Sequence, residues 1–289
     1  MGTPNRKQTF QDWITQKWVI LFGNKIDAEE HKWLIGPFGS TNGIGLKFIQ
    51  QLAKKEHLVI DKHKKDRGLI QSINQLKLSE NELEALSQSV IDFYENTSNY
   101  DLDLKVKWNP FFKGFGFLIK IIFSNRIEQL NVPIQNSKGS KGLKSEIIHL
   151  LEPTKNEIKR TIWLRAYKTT GQVVYSGVYE TCTIPSGETC IKAIFPLPNG
   201  NAIVILKPRV GINGELILES SGRRIGDSGF YFLLRDSKGQ LWTKFIKSFK
   251  DKLVVSCEND EITAVQTLTL WNLRVLKFEY EIKKIQRNV

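Results

Sequence analysis

The sequence predicts an α+β fold: N-terminal helices packed on a C-terminal curved antiparallel β-sheet or open barrel of about 8–10 strands. Three observations predict it. Apolar residues in the first third recur at near-helical spacing. From Thr161 onward they alternate with polar residues in short runs. Those runs are joined by turns too short for parallel crossovers. On this reading the chain is a single domain, 1–289, with a mainly helical part over 1–135 and a sheet part over 145–285.

In chain order, Asp12 to Phe22 places Trp13, Ile14, Trp18, Leu21 and Phe22 at helical spacing. The glycine-rich 36–43 breaks it, and Ile44 to Leu52 resumes a helix with Ile44, Phe48, Ile49 and Leu52 on one face. Its glycines lack the Lys-Ser/Thr ending of a phosphate loop. Ser79, with Glu82 three residues on, opens a further helix in capping-box fashion, and the apolar stripe runs on through Phe93 and Tyr94. Lys138–Lys144 reads as a basic surface loop. Strands are then expected over 161–168, 172–184, 189–196, 201–207, 215–220, 230–235, 240–248, 253–257 and 262–285. The turns between them are marked by Gly171, Asn199-Gly200, Asn213-Gly214, Ser228-Gly229, Gly239 and Asn259-Asp260.

Charge is unevenly spread. The chain has 42 basic and 30 acidic residues, a net of +12. Residues 104–170 alone hold 13 basic against 4 acidic, whereas 79–103 hold seven acids and no base. An excess of this kind favours an anionic partner without naming one. Nucleic acid is disfavoured, because no helix-turn-helix, zinc-finger, KH or RNP pattern occurs and Lys far outnumbers Arg.

No secretory h-region follows Met1. The most apolar stretch, Phe111–Phe123, is 13 residues long and is interrupted by Lys113 and Lys120, short of the roughly 20 needed to span a bilayer. On a helix, Phe111, Phe115, Leu118 and Ile122 would form one apolar row. That row is either a lid over the sheet or, with Trp108, an amphipathic segment at an anionic membrane surface. Three cysteines in a chain of this length fit a reducing compartment. Cys182 and Cys190 flank Pro185-Ser186-Gly187 symmetrically, so a hairpin there would set them opposite each other, with two packed thiols favoured over a disulfide.

Candidate site residues follow from strand faces. Trp163 and Arg165 share one face, as do Tyr175 and Tyr179, with Gly177 between the tyrosines. Aromatics with a few polar handles suit a pocket for a greasy molecule. Lys192 and Asn201 would add polar contacts, and Phe111 and Phe115 would close the lid. Solvent-facing ladders explain the same residues. The loop 222–229 offers Arg223 and Arg224 to an anion, or else is a solvated hairpin. His31, His57, His63 and His149 have no metal or nucleophile spacing and no GxSxG occurs, so neither a metal, a cofactor nor a catalytic residue is assigned.

The strings FYENTSNYDLDLKVKW (93–108), QLNVPI (129–134), VVYSGVY (173–179) and KAIFPLPNGNA (192–202) resemble uncharacterised bacterial proteins of about this length, over roughly Trp33 to Ile282. The resemblance carries no activity and so no catalytic residue. The expected function is binding of a hydrophobic small molecule, acyl- or polyketide-like and neutral or anionic, between sheet and lid, in a cytoplasmic protein. The alternatives are a peripheral membrane protein using 108–123 and an enzyme acting on such a ligand.

Overall fold

The computed structural model describes residues 10–39, 46–61, 66–110, 141–168, 171 and 173–285. Strands dominate it. The α-helices among the described residues are α1 (Phe10–Phe22), α2 (Leu46–Lys55), α3 (Glu80–Ala85) and α4 (Gln88–Glu95). Three strands fall in the part expected to be helical: β1 (Asn24–Ile26), β2 (Val59–Ile60) and β3 (Tyr100–Trp108). Then come β4 (Lys141–Leu151), β5 (Ile158–Tyr167), β6 (Val173–Thr183), β7 (Thr189–Leu197) and β8 (Gly200–Val210). After them lie β9 (Leu216–Glu219), β10 (Gly229–Arg235), β11 (Leu241–Phe245), β12 (Phe249–Glu258), β13 (Glu261–Leu270) and β14 (Leu273–Lys284).

The expected curved sheet or open barrel is in fact a closed ring. From β8 the ladder runs through β7, β6, β5, β4, β3, β14, β13, β12 and β9, and β9 pairs back onto β8, giving an antiparallel ten-stranded barrel. Closure removes the unpaired edges that an open sheet would leave. The strand β8 forks: Lys207–Val210 pair with β9, while Gly200–Ile205 pair with β10, which leads to β11 and β1 outside the ring.

Four local expectations are corrected. The helix opened by Ser79 stops at Ala85 and restarts at Gln88, because the Ser87 amide donates to Gly214 O (3.0 Å) instead of continuing the helix. The Glu82 carboxylate does accept from the Ser79 amide (3.1 Å), as the capping box requires. The basic loop at 138–144 holds the start of β4 from Lys141. The long strand 262–285 is a hairpin turning at Trp271-Asn272. Finally, 100–108 form a barrel strand whose buried residues, Tyr100, Leu102, Leu104, Val106 and Trp108, alternate with Asp101, Asp103, Lys105 and Lys107.

Two cores result. The inner one fills the barrel with inward side chains such as Leu104, Ile147, Trp163, Val204, Leu218, Val255 and Phe278. A ten-stranded ring is wider than the eight-stranded kind that side chains alone just fill. Here Leu69 and Ile70, and Val90, Phe93 and Tyr94 of α4, pack into the same core. The Asp92 carboxylate holds α4 to the rim through the Tyr100 hydroxyl and through Lys284 Nζ at 2.8 Å. The outer core lies on the opposite side of β4–β8, where Ile148, Ile162, Val178, Ile194, Ile203 and Ile205 are covered by Leu34 and by Phe48, Ile49 and Leu52 of α2. Cys182 and Cys190 are paired residues on this outer side, both free thiols. Burial pushes them up to about 11 and about 12, so they stay protonated at neutral pH.

Candidate functional site: a polar cluster inside the barrel

The barrel encloses an apolar cavity of about 80 Å³. Leu102, Ile191, Ala193, Val204, Leu218 and Val255 supply apolar wall, and Phe93 and Tyr94 of α4 line it too. Against this wall stand Arg165 on β5, Tyr179 on β6, Asp251 on β12, Gln266 on β13 and Tyr280 on β14. All are on inward positions: Trp163 faces Gly177 across the β5–β6 ladder, Tyr179 faces Ala193, and Ala264 faces Tyr280.

Arg165 is 7% exposed, and its guanidinium lies 4.2 Å from the Trp163 ring centroid and 5.8 Å from that of Tyr280. One of its nitrogens donates to the Tyr280 hydroxyl at 3.4 Å. Trp163 is itself fixed, its indole N–H donating to Ser145 Oγ at 2.7 Å and its ring meeting Tyr179 edge-on at 5.7 Å. Gly177 is needed here, because a Cβ would fall 2.8 Å from Phe195 Cε1 and 3.1 Å from Tyr179 Cε2. Mid-strand glycine therefore marks a close approach by inward rings.

Asp251 is 5% exposed. Its backbone is bound to Ser220 in both directions (2.7 and 2.8 Å), which fixes the position of the side chain. Gln266 Nε2 donates to Oδ2 at 2.8 Å, while Oδ1 is buried with no hydrogen-bond partner among the described residues. Burial pushes this carboxyl up to about 7, with the Gln266 bond pulling weakly the other way. Burial also raises the Tyr280 phenol, opposed by the nearby Arg165 charge. The interior thus combines a permanent cation, an amide, phenols and a carboxyl whose raised pKa leaves its protonated and ionised forms both populated near neutral pH.

The structure brings Trp163, Arg165 and Tyr179 together on one cavity. Tyr175 stands opposite Arg165 in the β5–β6 ladder, its side chain outside the described set. Phe111 and Phe115, and the lid expected of Phe111–Phe123, lie outside the described residues. Lys192 and Asn201 are corrected: they point to the other side of the barrel wall. Lys192 Nζ donates to Trp33 O (3.0 Å) and Ile35 O (2.8 Å) and pairs with Glu180 at 2.6 Å. Asn201 Nδ2 reaches Pro37 O at 3.3 Å. Both pin the irregular segment 33–37 to the outer face, and neither lines the cavity. Asp251, Gln266 and Tyr280 were missed. Their signal was present, since Asp251 occupies the register of Leu253 and Val255 and is the one charged residue of that face.

The loop 222–229 satisfies itself. The Asp227 carboxylate accepts from the amides of Arg223 (2.9 Å) and Arg224 (3.2 Å), and both arginine side chains are exposed, that of Arg224 pairing with Asp227 at 3.8 Å.

No protein-family model matches the chain, and no solved structure does. It is similar to an uncharacterised membrane protein of Bacillus subtilis (strain 168), YndJ, with 23% identity over 274 residues. That match covers 94% of this chain, and the chain spans about half (47%) of the length of that relative. The likeness agrees with a resemblance to uncharacterised bacterial proteins.

Proposed function

We propose that the barrel interior is a binding chamber for a small, largely apolar molecule with one polar or anionic end. The observation that carries this reading is the convergence of Arg165, Asp251, Gln266 and Tyr280 on one apolar cavity inside an otherwise greasy core. Burying such groups is costly unless they are satisfied, and Asp251 Oδ1 is not. A ligand group that both accepts from Arg165 and meets the Asp251 hydroxyl would repair this. The cavity of about 80 Å³ is smaller than the roughly 300–1,000 Å³ of drug-sized sites. The ligand is therefore short, or α4 and the 69–70 segment give way to admit it.

Octanoate and octanol serve as probes in titration calorimetry, with native mass spectrometry of the protein from its host as the complementary measurement. Octanoate should bind more tightly than octanol, and Arg165→Met should erase the difference. A bare protein mass together with no heat from either probe would end the proposal.

A second reading, peripheral association with a membrane, is favoured by the relative, which is a membrane protein roughly half of which this chain matches. No helix among the described residues is long and apolar enough to cross a membrane. The outward side chains of β3 and β14 are ion pairs, Lys105–Glu281 at 2.5 Å and Lys107–Glu279 at 2.7 Å, where a lipid-embedded barrel carries an apolar band. On this reading the protein sits on a surface, and the three free thiols suit a cytoplasmic one.

A further inference from the structure

At one end of the barrel the β13–β14 hairpin turns through two residues, Trp271 (φ +50°) and Asn272 (φ +64°). Two left-handed residues make the turn that matches strand twist, and Gly, Asn or Asp normally fill it. A tryptophan there is strained by its Cβ, and it is also exposed: Trp271 is 67% and Leu273 57% accessible. Neither residue is in the core clusters of buried and packed side chains. A bulky ring in a conformation it disfavours, pushed into water, calls for a use outside the fold.

The charge around it is one-sided. The Trp271 amide donates to Ser248 O (2.9 Å), and Lys250 Nζ donates to Asn272 Oδ1 (3.2 Å), which brings the β11–β12 turn alongside. Asn109, just past β3, donates to Val275 O and Arg274 O (3.0 and 2.7 Å). Lys247, Lys250 and Arg274 are exposed and make no ion pair among the described residues. The neighbouring stretches 244–250 and 269–277 contain four Lys, one Arg and no Asp or Glu. From the same turn, ring contacts run from Phe249 to Phe230 (4.9 Å), on to Phe232 (5.1 Å) and Trp18 (6.0 Å). Beyond Trp18 are Leu21 (74% exposed) and Phe22 (58%) at the end of α1.

We propose that this end of the barrel docks on an anionic phospholipid bilayer, with Trp271 and Leu273 entering the headgroup layer and Lys247, Lys250 and Arg274 meeting the lipid phosphates. Indole rings favour the bilayer interface, and basic side chains around them gain from its negative surface potential. The inference gives the membrane reading a surface and does not depend on what occupies the chamber.

Vesicles of phosphatidylcholine with phosphatidylglycerol, 1:1, should sediment the full chain at low salt. Vesicles of phosphatidylcholine alone should not, and 0.5 M NaCl should weaken the binding at least tenfold. Trp271→Asn combined with Leu273→Ser should cut binding to the mixed vesicles more than fivefold. Trp271→Asn alone should leave the melting temperature unchanged or raised, since Asn suits the turn, which separates docking from folding. Absence of sedimentation at low salt would overturn both this surface and the membrane reading. Sedimentation untouched by the double substitution, or lost only on changing residues 111–123, would overturn the surface and keep the reading. Binding of a single-stranded oligonucleotide with no binding of vesicles would replace the bilayer by nucleic acid.

Discussion

Asp251 shows how one side chain couples the chamber to solution conditions. Its carboxyl has an ordinary value near 3.8 when the chain is unfolded and about 7 when buried in the barrel. Between these values the folded state holds a proton that the unfolded state has lost, so stability falls as pH rises from about 4 to about 7 and levels off above. At about 1.4 kcal/mol per pKa unit the loss is at most a few kcal/mol. Asp251→Asn keeps the shape and removes the titration, so the urea midpoint should change less between pH 4.5 and 8 in this variant than in the parent. A variant that keeps the parent's full slope would show that Asp251 is charged in the folded state. His149 runs the opposite way. It is buried, and its ring contacts Gly68 O at 3.1 Å. Desolvation lowers its pKa, so this group costs stability only as pH drops below the usual histidine range.

The segment 33–37 is an element with no regular structure of its own, and it is held by side chains from the barrel wall. Lys192 contributes two hydrogen bonds and an ion pair to Glu180, and Arg160 also meets Glu180 at 2.7 Å. Lys192→Met orphans two carbonyls but leaves Glu180 a cation, so the expected cost is about 1–3 kcal/mol rather than the full cost of a broken buried pair. Amide exchange over 33–39 should quicken, while octanoate titration of the chamber should be unchanged. Loss of octanoate binding in that variant would return Lys192 to the site. Gly36→Ala tests the same contact sterically, since the added Cβ would lie 2.8 Å from Ile194 Cδ1. A loss of about 1–3 kcal/mol is expected from overpacking, read as a lower thermal midpoint. These residues also show what was legible. Strand positions from β5 to β12 were, because glycine and asparagine punctuate them. The turn at Trp271 was not, because its residue types are wrong for its conformation. The strand β3 was overlooked although YDLDLKVKW alternates without a break, its acids merging with those of the preceding helices. The inward face of β7 and β8 was not legible for a physical reason. Both strands are buried on both sides, so AIVIL carries no alternation to read. That is why Lys192 and Asn201 were placed with Arg165 rather than behind it.

At the scale of the whole molecule, the net charge of +12 is not spread as a uniform coat. The described cations of the basic stretch 104–170 are largely matched across strands or to neighbours: Lys105, Lys107, Lys144, Lys159, Arg160 and Lys168 each meet a carboxylate, and Arg165 is buried inside. At the Trp271 end, by contrast, Lys247, Lys250 and Arg274 meet no carboxylate among the described residues. The same scale explains why the ring does not stand alone. Its outer side over β4–β8 is as apolar as its inside, and residues 26–60 are what cover it. A buried Ile or Leu side chain is worth about 1.5–3 kcal/mol, so uncovering even four of Ile148, Ile162, Ile194, Ile203 and Ile205 removes about 6–12 kcal/mol. That is comparable to the entire stability of an ordinary domain, about 5–15 kcal/mol. A chain beginning at His57 should consequently lose cooperative thermal unfolding, bind anilinonaphthalene sulfonate and leave a sizing column as aggregate, although every barrel strand is intact. A cooperative monomer with the parent's melting temperature would mean that the ring is self-sufficient and that the N-terminal layer is an attachment rather than half of the core.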